Sequence, residues 1–148
     1  MHALLQVEHW IAFVLANQSA SGWLGPDDGF GGEGNTYWNG WNIAAALLQY
    51  ATVKGQSTTL GSLCVSAVNR YIAEVHRRML TTPTQAWSQN RWQDWLFIID
   101  WAWDLGPLGQ EQMLLDAGEL TKQQSWDWDG YYQRTGVGIS GAYVGKVG

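Results

Sequence analysis

The chain has 148 residues, a formal net charge of −5, 11 tryptophans and a charged-residue content of only 14%. Its length is typical of one domain, and so many tryptophans indicate either a Trp-lined cleft or a chain that is part of something larger. The acidic balance argues against nucleic acid as a partner, because nucleic-acid binding depends on basic surface. No apolar run is long enough to predict a membrane span. The first residues, MHALLQVEH, lack the features of a secretory signal, so the compartment stays open.

Apolar periodicity predicts two helices in the first third of the chain. The first, over residues 2–17, ends at the turn cluster NQSASG. A long loop over 19–37 follows, rich in glycine and acidic residues, and loops of this length are usually functional or mobile. The second helix is predicted over 38–53, with Gly55 as its C-terminal stop.

The third predicted helix, over 58–80, has the pattern of an amphipathic surface helix. Its single cysteine, Cys64, excludes a disulfide within the chain and is most simply a buried structural thiol. The charged residues of this helix are expected on a solvated face: Arg70, Glu74, Arg77 and Arg78.

The stretch 91–105 is predicted to be a central helix that is buried nearly all round, because it contains no Gly, no Pro and few polar residues. Asp94 lies in its first turn, where a negative charge is favoured, and Arg91 is placed to form an ion pair with it. A fifth helix is predicted over 110–123. The loop 125–133 then leads into a glycine-rich tail, 134–148.

Two patterns predict how these helices are arranged. Trp38 and Trp41 recur as Trp92 and Trp95, each 54 positions later, and such a period indicates repeated helical hairpins. In an up-and-down arrangement, alternate connections lie at opposite ends of the molecule. The long loops, which lie within 19–37, 81–90 and 125–133, are therefore expected at one end, together with Trp38, Arg91, Trp92 and Asp94. Sites commonly lie on loops that a rigid scaffold holds.

Four segments in series resemble the catalytic domain of glycoside hydrolase family 127, the β-L-arabinofuranosidase-like proteins: QSASGWLGPDD, YWNGWNIAAALLQY, WSQNRWQDWLFIIDWAWD and LLDAGELTKQQSWDW. The resemblance covers about residues 4–130. It implies an all-α fold, a partial (α/α)6 toroid over residues 1–133 with about two and a half hairpins. After Tyr132 the family-like pattern is lost.

The resemblance also implies a function, namely action on L-arabinofuranoside-type glycans. The zinc-bound cysteine nucleophile and the glutamate acid/base of the family have no counterpart in this chain, so no cofactor is expected and the chain alone is expected to be inactive. Its expected partner is a carbohydrate substrate. Because a partial toroid has an uncovered edge, self-association through that edge is also expected.

The candidate substrate-binding residues are aromatic and charged side chains expected near the long loops: Trp38, Trp41, Arg91, Trp92, Asp94, Asp28 and Glu33. Tryptophan faces, including that of Trp95, can stack on sugars, and a glycosidase needs two opposed carboxylates. The competing interpretations are core packing for the tryptophans, turn chemistry for Asp28 and a structural ion pair for Asp94. The acidic pair Asp127 and Asp129 makes a weak metal site.

Two other functions remain open from the sequence. A degenerate or non-catalytic carbohydrate-binding domain would keep the tryptophans without the catalytic groups. A terpenoid cyclase-like toroid is suggested by FVLANQSASGW, which approximates the Gln-Trp motif of those enzymes. In that motif one residue separates glycine from tryptophan, whereas Gly22 and Trp23 are adjacent here, and the acidic signature of the cyclases is absent.

Overall fold

The structure is a computed structural model that describes residues 2–25 and 37–135, and its regular elements in these ranges are helices. The all-α expectation is confirmed for this part of the chain. The helices are α1 His2–Ala16, α2 Trp38–Lys54, α3 Thr59–Met79, α4 Ala86–Asn90, α5 Trp92–Leu105, α6 Glu111–Gln124 and α7 Trp128–Thr135. Within the described ranges, none of them is both long and apolar enough to cross a membrane.

The five predicted helices correspond to α1, α2, α3, α5 and α6, and each of their ends lies within one residue of the expected position. The prediction that 81–90 and 125–133 are loops is wrong in part, because α4 and α7 form there. Residues 26–36, with Asp28 and Glu33, lie outside the described residues, and so do residues 136–148 of the predicted tail.

The helix on which the others pack is α3, which contacts α1, α2, α5 and α6. Small residues such as Gly61, Cys64 and Ala67 let neighbouring helices approach it closely. Its buried positions extend along nearly its whole length: Gly61, Cys64, Val65, Ala67, Val68, Asn69, Tyr71, Ile72, Glu74, Val75 and Met79. The prediction that this is a surface helix is therefore wrong.

The stretch 91–105 is not the central helix, and the prediction that it is buried nearly all round is also wrong. One face of α5 is buried, with Trp95, Ile98, Ile99 and Ala102. Phe97 and Trp103 are exposed. A second apolar stripe of α5, which includes Phe97 and Trp103, lines an open groove between α5 and α6. The helix is therefore apolar on two faces.

Glu74 is a buried carboxylate, contrary to the expectation of a solvated charge, and is only 4% exposed. It accepts hydrogen bonds from Arg77 Nε at 2.8 Å and from Arg78 Nε at 2.7 Å. The Arg78 guanidinium also lies over the Trp23 ring, 4.6 Å from its centroid. Burial is tolerated because the charge is paired. Hydrogen bonding from Arg77, with a contribution from Arg78, lowers the pKa of Glu74.

Two neighbouring two-helix units form the body of the structure. α2 packs on α3 and α5 packs on α6, while α2 also contacts α5 and α3 contacts α6. Gln56 and Gly106, which belong to the two short connections, lie close together: a Cβ built on Gly106 would be 3.6 Å from Gln56 Oε1. The arrangement agrees with the repeat of WxxW along the chain.

The described parts of the long connections lie close together, as predicted, at the end of the molecule opposite to Gln56 and Gly106. The Tyr37 amide donates to Ser88 Oγ at 3.0 Å. The Trp126 amide donates to the Gln89 carbonyl at 3.1 Å, and Trp128 Nε1 donates to the Asn90 carbonyl at 3.1 Å. Segments distant in sequence are thereby fixed against each other around the start of α5.

Gly40 allows the start of α2 to pack directly on Tyr71. A Cβ at Gly40 would lie 2.2 Å from the Tyr71 hydroxyl oxygen and 2.7 Å from the Leu24 carbonyl oxygen. Both distances are shorter than those found around real Cβ atoms. Gly118 in α6 is a contrasting helical glycine, since a Cβ there would meet only Leu96 Cδ2, at 3.8 Å.

We expect Gly40→Ala to lower the free energy of unfolding by about 1–3 kcal/mol, the usual cost of overpacking. This corresponds to a fall in Tm of roughly 2–4 °C per kcal/mol for a chain of this length. The matched control Gly118→Ala should be neutral or stabilising by up to about 1 kcal/mol, because alanine favours a helix. Thermal melts followed by circular dichroism measure both, and equal effects of the two variants would contradict the close approach at Gly40.

The Glu74 ion pairs predict an acid-sensitive contribution to stability. Because the folded pKa of Glu74 is below its ordinary value of 4.5, the stabilisation is complete above that value and is lost as the pH falls through the folded pKa. Glu74→Gln should lower the free energy of unfolding by about 1–3 kcal/mol near neutral pH. The difference from wild type should become smaller in acid. Denaturant titrations at several pH values measure this, with Glu119→Gln on exposed α6 surface as the control. A gap that does not change with pH would contradict the pairing.

Candidate functional site

A shallow depression of about 380 Å³ lies where the junction of α4 and α5 meets α7. Its lining combines hydrogen-bonding side chains with aromatic rings: Asn90, Arg91, Gln93, Asp94, Trp128 and Tyr132. The volume is near the lower end of the range for small-molecule sites. We take this depression as the candidate site.

Arg91 lies at the break between α4 and α5, where it is the C-cap of α4 and the N-cap of α5. Its Nε donates to Asp94 Oδ2 at 2.9 Å, so the predicted ion pair is confirmed. The guanidinium also lies over the Trp41 ring, 5.4 Å from the centroid. Both side chains of the pair are partly exposed, so the pair adds little to stability. Guanidinium has five N–H donors, so Arg91 can also bind a ligand.

The aromatic side of the depression comes from α7. The rings of Trp128 and Tyr132, one helical turn apart, stack with centroids 6.1 Å apart and an interplanar angle of 29°. Asp127 is the N-cap of this helix and accepts a hydrogen bond from the Gly130 amide at 2.8 Å. Asp127 therefore has a structural role at the start of α7.

Residues 125–133 are predicted to be a loop, and neither Trp128 nor Tyr132 is among the predicted site residues. A signal for both was present. Aspartate at position 127 is a favoured N-cap residue, and the aromatic residues that follow are spaced i, i+4, which places them on one helix face. The turn-like composition of the segment outweighed that signal.

The structure brings together only some of the predicted site residues. Arg91 and Asp94 line the depression, and Trp41 lies against Arg91. Trp92 is half-buried, and its indole nitrogen is buried with no acceptor among the described residues. The backbone of Trp38 begins α2 at this end of the molecule, but its side chain, like Asp28 and Glu33, lies outside the described part.

Trp95 belongs to the core, so the sugar-stacking role considered for it is wrong. It is fully buried. Its ring lies 4.8 Å from that of Tyr37 and 5.5 Å from that of Tyr71, centroid to centroid. Trp95 is one helical turn further into α5 than Trp92, and that turn is enough to place it beneath the surface.

The zinc-bound cysteine that the family resemblance implies does not fit the described residues. Cys64 is fully buried on α3, and burial raises the pKa of its thiol to about 11. Within residues 2–25 and 37–135, no group of three His, Cys, Asp or Glu side chains is arranged to hold a metal ion. Asp94 is the one carboxylate among the described residues that line the depression.

Compared with models of known protein families, with curated proteins and with solved structures, the chain has no significant match.

The burial of Cys64 predicts slow alkylation in the native state. A pKa of about 11 in place of 9.0 reduces the thiolate fraction roughly a hundredfold near neutral pH, and burial blocks access in addition. Iodoacetamide followed by mass spectrometry should label the native chain very slowly and the denatured chain readily. The result is unambiguous because Cys64 is the chain's single cysteine. Rapid native labelling that zinc prevents would contradict a structural thiol and favour a zinc site.

Proposed function

We propose that this chain binds carbohydrate in the depression between the α4–α5 junction and α7. The observation that carries the proposal is the placement of the Arg91–Asp94 pair beside the stacked rings of Trp128 and Tyr132. Polar groups and aromatic faces from different parts of the chain border one small volume.

A sugar ring matches such a site because its edge carries hydroxyl groups while its faces carry C–H groups. Arg91, Asn90 and Gln93 offer hydrogen-bonding groups around the depression. The rings of Trp128 and Tyr132 offer apolar faces, and tryptophan and tyrosine provide a large contact area at small entropic cost. The site is shallow and holds about 380 Å³, which suits one or two sugar residues bound with modest affinity.

We further propose that the described helices form an arc of an α/α toroid from a protein that acts on L-arabinofuranoside-type glycans. Two observations support this reading. Neighbouring two-helix units repeat the same contacts, at the spacing of the WxxW repeat, and the described parts of the long connections converge at the end that carries the depression. The substrate class itself rests on the family resemblance of the sequence.

Binding without turnover is the activity that the described site supports best. A glycosidase uses two carboxyl groups, roughly 5–10 Å apart, whereas the described lining offers Asp94, which already accepts a hydrogen bond from Arg91. One carboxylate cannot supply both of the groups that this reaction needs.

We expect Trp128→Ala to weaken the binding of arabinofuranosides by about 1–2 kcal/mol, roughly tenfold, because the stacking face is lost. Isothermal titration calorimetry or NMR titration with short arabinofuranosyl oligosaccharides measures the effect. Arg91→Ala should weaken binding to a similar extent. The matched control is Trp103→Ala, which removes a partly exposed tryptophan near the opposite end of α5. Equal loss in Trp128→Ala and Trp103→Ala would contradict this site, and so would undetectable binding by the wild-type chain.

We also expect the purified chain of residues 1–148 to release no arabinose from arabinofuranosides, since the described residues supply no nucleophile and acid pair. Sugar release followed by chromatography tests this, with Asp94→Asn as the comparison. Turnover by the wild-type chain that Asp94→Asn or Glu33→Gln abolishes would refute binding without catalysis.

A further inference from the structure

The apolar groove between α5 and α6 adjoins the candidate site. Its volume is about 700 Å³, within the range of small-molecule sites. Gln93 lines both the groove and the depression that forms the candidate site. From Gln93 to Asp100 the groove follows α5 for about 10 Å, at 1.5 Å per residue. A ligand in the depression therefore lies at one end of the groove.

The groove has exposed apolar walls and a more deeply buried floor. Phe97 on α5 and Leu115 on α6 are 58% and 56% exposed. Leu96 is half-buried, and Ile99 is only 7% exposed. Gly118 keeps the α6 side open, because a Cβ there would meet only Leu96 Cδ2, at 3.8 Å. A helix with its side chains is about 10 Å across, so a narrow apolar chain reaches this floor more readily than a helix does.

The charges around the groove also favour a narrow ligand. Three charged side chains that line it are exposed to water: Asp100, Glu119 and Lys122. A protein surface laid over the groove would remove these charges from water, which is costly unless each is paired. A narrow chain on the floor leaves them hydrated.

We propose that the preferred ligand is an amphiphilic glycoside, whose sugar lies in the depression and whose alkyl aglycone lies in the part of the groove next to Gln93. This inference rests on the proposed sugar binding and adds the chemical class of the group attached to the sugar. Gln93 lies where the two volumes adjoin. Its side-chain amide is a hydrogen-bond donor, suited to the glycosidic oxygen that joins the sugar to the aglycone.

The aglycone supplies affinity that the shallow depression lacks. Each CH₂ group that enters the groove loses contact with water, and its burial should tighten binding about two- to fourfold. The gain should continue with chain length while the chain stays beside Leu96 and Phe97. Short arabinofuranosyl oligosaccharides carry no such chain and should bind through the depression alone.

The test compares methyl and hexyl L-arabinofuranoside by isothermal titration calorimetry, with the hexyl glycoside kept below the concentration at which it forms micelles. The hexyl chain has five more CH₂ groups, so it should bind wild type about thirtyfold more tightly or better. NMR should show intermolecular contacts from the terminal methyl group to the Phe97 ring and from the sugar to the Trp128 indole.

Two variants remove the groove without touching the depression. Gly118→Leu fills the groove and should abolish the advantage of the hexyl glycoside while leaving the affinity for the methyl glycoside unchanged. Phe97→Gln removes one exposed wall and should reduce that advantage severalfold. The matched control is Gln112→Leu, the same new side chain at an exposed position of α6 outside the groove, and it should behave like wild type. Circular dichroism verifies that each variant remains folded.

Trp128→Ala separates failure of the groove from failure of the sugar site, since it should weaken both glycosides by the same factor. If neither glycoside binds the wild-type chain, the proposed sugar site is refuted and this inference with it. If the methyl glycoside binds and Trp128→Ala weakens it, but the hexyl glycoside binds no more tightly, the inference alone is overturned. A hexyl advantage that persists in Gly118→Leu overturns it as well.

Discussion

The packing around the Tyr71 side chain holds the described structure together. Its buried hydroxyl donates to the Tyr37 carbonyl at 2.8 Å, and its ring meets the rings of Trp23 and Trp95 edge to face. Gly40 gives the hydroxyl room at the start of α2. The central helix, the first connection, α2 and α5 thus share one contact point, and a buried polar bond of this kind rigidifies a core only when it is satisfied.

The five long helices could be predicted from the sequence because apolar periodicity and glycine stops are local signals. The grouping of the long connections also followed, from their alternation with short ones. The choice of central helix did not follow. Periodicity indicates which faces of 91–105 are apolar, but an apolar face can lie either in a core or along an open groove. The charged residues of 58–80 indicate a solvated face, whereas Glu74 is buried because Arg77 and Arg78 pair with its carboxylate.

The candidate site shows the same division between local and distant contacts. The pairing of Arg91 with Asp94 could be predicted because the residues are three apart on one helical turn. The approach of Arg91 to Trp41 and the position of Trp128 beside Asn90 could not, because these contacts join segments dozens of residues apart. A single sequence contains no record of such distances.

α7 has only eight residues, and a helix so short does not persist in water by itself. Its order comes from contacts such as the bond from Trp128 to the Asn90 carbonyl and the cap at Asp127. The proposed binding of a sugar to the rings of Trp128 and Tyr132 would therefore be thermodynamically linked to the helix–coil equilibrium of α7. A ligand that needs both rings in one orientation stabilises the helix. Warming or denaturant that frays α7 would then reduce the apparent affinity of the proposed site before the core around Tyr71 unfolds.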